Sequence, residues 1–148
     1  MSDGIAVIRN GIVATLSSCG PFAAREISTC DFGILEGVSG CAVILLPEGE
    51  SIIEPLTFTG AGNAFSDYAH WNIGGGVYIR FTGDSPKFLS KVWQAMDDIH
   101  NTIRKDRTLQ SSTCLAYVKS IGFNQSEGYN LGGEDYGVVH FVIEAHDL

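Results

Sequence analysis

Four histidines, His70, His100, His140 and His146, are the side chains of this 148-residue chain best suited to proton transfer or metal ligation. No two of them stand in an H-E-x-x-H or similar arrangement. His140 and His146 are six residues apart on one predicted strand. They point to the same face but lie roughly 20 Å apart, too far to share an ion. His100 falls on the apolar stripe of a predicted helix, where a packed, hydrogen-bonded histidine is expected rather than a ligand. Cys19, Cys30, Cys41 and Cys114 form no C-x-x-C pair, so neither a zinc ribbon nor a dithiol redox motif is written here. The N-terminal residues show no basic start followed by an apolar run. The thiols therefore read as buried and free in a reducing cytoplasm.

The glycine-rich stretches do not complete a ligand motif. Gly60-Ala61-Gly62-Asn63-Ala64-Phe65 begins like a dinucleotide fingerprint, but Phe65 stands where the third glycine belongs and no helix is predicted after it. Gly37-Val38-Ser39-Gly40-Cys41 resembles a nucleophile elbow but lacks the closing glycine and a preceding strand. Asp97 and Asp98 are helical neighbours that cannot converge on one substrate, and read as solvated. Glu127, Glu134 and Asp135 gather in a polar loop, as a calcium site, an acidic contact patch or plain solvated surface. The EF-hand spacing is absent. No catalytic, cofactor or metal site is expected from these patterns.

The elements that position these residues follow from periodicity. Ile5, Ile8, Ile12 and Leu16 predict a helix over residues 3–18, weakened by Gly11 and stopped by Cys19-Gly20-Pro21. Residues 21–39 read as irregular. Cys41 to Leu46 is a short apolar run bounded by Gly40 and Pro47, predicting a strand buried on both faces. Residues 51–59 suggest an edge strand broken by Pro55, and residues 60–63 a loop. Tyr68 to Thr82 reads as one long strand. Its Gly74-Gly75-Gly76 marks a bulge, a bend or the close approach of another backbone. A helix from Pro86 to about Lys105, capped by Asp84 or Ser85, carries a stripe of Phe88, Leu89, Val92, Trp93, Met96, Ile99, His100 and Ile103. Trp93 is thereby expected in the core. Strands over 113–123 and 136–146 close the chain, joined by a polar loop over 124–135. In the last strand Val139, Phe141, Ile143 and Ala145 alternate with Val138, His140, Val142 and Glu144. The order predicts one α+β domain over residues 1–148, a mixed or antiparallel sheet with two helices packed on one face.

Composition narrows the partners. A chain of this length buries roughly 70% of its unfolded surface, and so folds without a metal or disulfide staple. Charged residues are only 18% and aromatics 10%, hinting at apolar surface covered by a partner or a somewhat greasy monomer. The net charge is −8, and the one basic cluster, Arg104-Lys105-Asp106-Arg107, suits a helix C-terminus rather than a phosphate backbone. Tight nucleic-acid binding is not expected. The apolar run at 41–46 is far too short to span a bilayer. Tyr68 and Trp71, opening the long strand, serve either core or contact surface. With Tyr129, Glu134, Asp135 and Tyr136 they form the candidate partner-interface set.

This order of elements resembles the tail-terminator (tail completion) proteins of long-tailed bacteriophages. The matching parts are Cys41-Ala42-Val43-Ile44-Leu45-Leu46-Pro47, Gly76-Val77-Tyr78-Ile79-Arg80-Phe81, the helix Phe88 to Ile103, and Val138-Val139-His140-Phe141-Val142-Ile143. Residues 21–39 and 51–67 have no clear counterpart. The resemblance implies a structural virion protein without catalysis or cofactor, forming a homo-oligomeric ring, usually a hexamer. Such a ring caps the tail tube, stops its elongation and offers a surface to the neck or head–tail connector. The acidic surface would let DNA pass through the lumen without sticking. Two alternatives stand beside it: a head–tail joining or other tail component, and a small α+β enzyme or ligand-binding domain, which a convergent polar pocket would favour.

Overall fold

A computed structural model describes residues 4–17, 27–30, 41–57, 65–113, 115–124, 128–131 and 133–147. In chain order the elements are α1 (Ile5–Ser17), β1 (Ile27–Cys30), β2 (Cys41–Pro47), β3 (Ile52–Thr57), β4 (Phe65–Arg80), α2 (Ser85–Lys105), β5 (Leu115–Phe123), β6 (Tyr129–Leu131) and β7 (Glu134–Asp147). The strands form one sheet in the order β1-β2-β4-β7-β5, with β3 added to β4 and β6 to β7. β1 runs parallel to β2 and every other pair is antiparallel, so the sheet is mixed and the class is α+β.

β4 organises the sheet because it is long enough to serve several partners. Residues 65–70 pair with β3, residues 73–79 with β2, and residues 69–80 with β7 along the other side. The glycine triplet does not interrupt it. Leu46↔Gly74, Leu45↔Gly75 and Ile44↔Gly76 continue an unbroken register, as do the partners across β7. The glycines are needed for side-chain room: the Phe141 ring lies against Gly75, its cross-strand partner. The irregularity of the sheet lies instead in β5, where the register slips between Val118 and Ser120.

Alternation along the strands builds the core. Val43 and Leu45 of β2, Ile73, Val77 and Ile79 of β4, and Val139, Phe141, Ile143 and Ala145 of β7 bury one set of side chains. They share one cluster with Ile8, Ile12 and Leu16 of α1 and with Val92, Ala95, Ile99 and Ile103 of α2. Gly11 weakens α1 as an isolated helix but lets another backbone close in. A Cβ there would lie 2.7 Å from Ser112 Cβ and 2.8 Å from the Leu109 carbonyl oxygen. α2 begins where Asp84 Oδ1 accepts the Lys87 N–H at 3.1 Å, with Pro86 in the first turn.

Just past its end, Leu109, Gln110 and Ser111 all have positive φ, 50°, 57° and 67°. This costly left-handed turn is held by Asp106. Its Oδ1 accepts from the Thr108 N–H at 3.2 Å and the Thr108 hydroxyl at 2.8 Å, and its Oδ2 accepts from the Gln110 N–H at 2.9 Å. Burial raises the Asp106 pKa, but those hydrogen bonds outweigh it and hold the carboxyl below its usual range.

Several expectations are corrected. At its C-terminal end β2 is not buried on both faces, since Leu46 is 46% exposed beside buried Leu45. The segment read as irregular contains β1, and Pro55 lies within the register of β3, opposite Asp67, rather than breaking the strand. The long strand spans 65–80 rather than 68–82, and the polar loop contains β6. Trp93 is 70% exposed and His100 is exposed, so neither packs in the core. The buried stripe of α2 is narrower than its apolar one. At ~100° per residue, Leu89, Trp93 and His100 lie about 60–100° from Val92, on the flank of the face that packs. Cys19, Cys114 and residues 60–63 lie outside the described residues, as do the side chains of Cys30 and Cys41.

Candidate functional site

The β4–β7 register assembles a polar cluster on the sheet face opposite the core. His70 pairs directly with His146, and Glu144 is cross-strand to both Asn72 and Tyr117 of β5. Because side chains alternate, Tyr68, His70, Tyr117, Glu144 and His146 all project to this one face. His70 Nδ1 lies 3.3 Å from Glu144 Oε1, and His146 Nε2 lies 3.6 Å from the same oxygen. The two imidazole centroids are 4.1 Å apart. His146 Nδ1 is 2.6 Å from the Tyr68 hydroxyl, and the Tyr117 hydroxyl donates to Glu144 Oε2. One ligating atom each from His70, Glu144 and His146 falls within 4.8 Å of the others.

The electrostatics follow from these contacts. Tyr117's hydrogen bond holds the Glu144 carboxyl below the usual carboxylate range. Burial opposes that shift, while the hydrogen bond to His70 and the charges of His146 and Lys119 add to it. The same bond to Glu144, with burial, raises the Tyr117 phenol. Glu144 is thus a fixed anion between two imidazoles, able to hold a proton or a cation. His146 Nε2 is shielded from solvent and has no hydrogen-bond partner.

The candidate interface residues fall in separate places. Tyr68 belongs to this cluster. Trp71 points to the other face and packs against the core. Tyr129, Glu134, Asp135 and Tyr136 meet at the β6–β7 hairpin, at the far end of β7. There Glu134 is held by Arg80, with Arg80 Nε 3.0 Å from Oε2 and Nη2 2.7 Å from Oε1. Asp135 Oδ1 accepts from Asn130 Nδ2 at 2.9 Å. Tyr129 is exposed, whereas Tyr136 is only 5% exposed and so is a wall rather than a protruding anchor. Asp135 and Tyr136, with Phe81, Phe88, Leu89 and Phe123, line an apolar cleft of about 300 Å³.

Sequence reasoning missed the cluster because it weighed histidines against one another along the chain. The Glu144-x-His146 spacing on a predicted strand was the available signal, since i and i+2 share a face. His70 joins them only through a register spanning more than seventy residues. His140, on the same face but exposed, is not part of the trio. No helix is long and apolar enough to cross a membrane among the described residues. No protein-family model matches the sequence, and no curated protein matches it.

Proposed function

We propose that this chain is a structural protein that assembles head to tail into a closed ring, in the manner of the tail terminators of long-tailed bacteriophages. In this reading six copies cap the tail tube at the head-proximal end of the virion, stop its growth and offer a surface to the neck or connector protein. The chain is made in the host cytoplasm and performs no catalysis. Both helices contribute to the core cluster, which leaves the β3 edge and the exposed flank of α2 for neighbours.

The observation that carries the proposal is a pair of dissimilar apolar patches on one subunit. The first is on β3, which pairs only with β4 among the described residues and exposes the consecutive Ile52 and Ile53, each to 53%. Consecutive residues point to opposite faces, so an apolar side chain flanks the open edge on each side. The second is the flank of α2, where Leu89 and Trp93 are exposed one turn apart and run into the cleft lined by Phe81, Phe88 and Phe123. β3 lies beside β4 on the β2 side of the sheet, while α2 packs more closely on β5, at the opposite end of the strand order, than on β4 or β7. Two complementary patches on opposite sides are what a heterologous, ring-closing interface requires. A net charge of −8 suits a lumen that DNA traverses without being held.

Sedimentation and negative-stain imaging of three proteins test this. The wild type is expected as uniform rings. Ile53→Lys and Trp93→Glu, on the two patches, are each expected as monomers with an unchanged far-ultraviolet circular dichroism spectrum. A monomeric wild type, or rings indifferent to both substitutions, contradicts the proposal. A head–tail joining component remains the second reading within the same particle, separated by whether the ring binds tube ends or the neck.

A further inference from the structure

We infer that His70, Glu144 and His146 form a binding site for a divalent transition-metal ion of the zinc type on the open face of the sheet. This stands apart from the ring proposal and rests on different residues. Nitrogen and oxygen ligands 2.0–2.1 Å from a tetrahedral ion lie about 3.4 Å from one another. The distances from Glu144 Oε1 to His70 Nδ1, 3.3 Å, and to His146 Nε2, 3.6 Å, are close to that edge length.

The supporting shell is already in place. Tyr68 sits against His146 Nδ1 at 2.6 Å, so an Nδ1–H donated to its oxygen leaves the Nε2 lone pair facing the other two ligands. Tyr117 occupies Glu144 Oε2 and leaves Oε1 to the imidazoles. A cluster that merely exchanged hydrogen bonds would satisfy its buried atoms, yet His146 Nε2 has neither a hydrogen-bond partner nor solvent, and the Glu144 Oε1 atom 3.6 Å away is beyond hydrogen-bond reach. The side chains of His70, Glu144 and His146 are only 26%, 14% and 19% exposed, so an ion held among them would be partly shielded from water. Two imidazoles and one carboxylate suit zinc, cobalt or nickel and not calcium or magnesium, which take oxygen ligands. Bound there, the ion ties β4 to β7 at the directly paired His70 and His146.

The test is zinc chloride titrated into chelator-treated full-length protein, followed by calorimetry and thermal unfolding, with cobalt as a spectroscopic probe. The wild type is expected to bind one zinc per chain. Its midpoint should rise by about 5–10 °C at zinc a hundredfold above Kd. Cobalt should give the visible absorption of a four- or five-coordinate site. His70→Gln and His146→Gln lose this binding, while His140→Gln on the same face keeps it. Tyr68→Phe removes no ligand and is expected to weaken binding about 10–100-fold, which decides the matter should a ligand variant fail to fold. Absence of saturable binding by the wild type, or equal binding by wild type and the ligand variants, overturns the inference. Neither result depends on whether the chain forms rings.

Discussion

Gly75→Ala is the sharpest test of how the sheet is packed. Gly75 sits in the middle of β4, between Leu45 of β2 and Phe141 of β7. A Cβ there would lie 2.7 Å from Phe141 Cε2 and 2.8 Å from Cε1. Phe141 Cζ would lie nearer still, and carbon atoms in contact prefer about 3.5–4.0 Å, so the ring must retreat by roughly 1–1.5 Å. Phe141 is 2% exposed within the common cluster, so the ring must press on its buried neighbours. Overpacking of this kind costs about 1–3 kcal/mol, offset by the ~0.5–1 kcal/mol that replacing a strand glycine recovers. The expected net loss is about 1–2 kcal/mol, or a midpoint lower by roughly 2–8 °C for a chain of this size.

Urea unfolding measures it, with an unchanged m-value as the sign that only native packing has altered. The same alanine placed beside Phe141→Leu, which removes the ring, should cost nothing or stabilise. A coupling of about 1–3 kcal/mol then appears in the double-mutant cycle. If Gly75→Ala costs the same with and without the ring, or costs nothing in either, the explanation of the glycine triplet as side-chain room is wrong.

Other expectations concern the turn after α2. Ser111 is exposed at φ 67°, so Ser111→Gly should stabilise by up to about 1 kcal/mol, read by chemical denaturation. Destabilisation would mean that the left-handed conformation is not adopted. The Asp106 carboxyl titrates below its ordinary value in the folded chain, so the unfolded chain binds the proton more tightly. Its stabilising contribution is complete above the ordinary aspartate pKa of about 3.9 and is lost as pH falls through the lowered folded-state value. Asp106→Asn should therefore be less stable than wild type at neutral pH and show a shallower decline on acidification. Parallel pH–stability curves would remove Asp106 from that role.

Much of the fold was legible from periodicity, and the failures share a cause. The β7 alternation and the α2 boundaries were plain because burial on one face leaves a period in the residues themselves. The fate of Trp93 and Leu89 was not, because an apolar residue on the flank of a helix stripe is written like one at its centre, and only the width of the facing sheet decides between them. β1, four residues long, carries too short a pattern to stand out, and β6 hides in a loop of Gly, Asn and Glu. The His70–Glu144–His146 cluster depends on pairing between distant strands. Periodicity sets which face a side chain takes; it does not set which strand lies beside it.

Native mass spectrometry of the purified wild-type chain bears most directly on the proposal that the protein acts by joining copies of itself. A hexamer of 15.9 kDa subunits, about 95 kDa, is the expected species, stable on dilution into the low micromolar range. A single 15.9 kDa species at every concentration would contradict it.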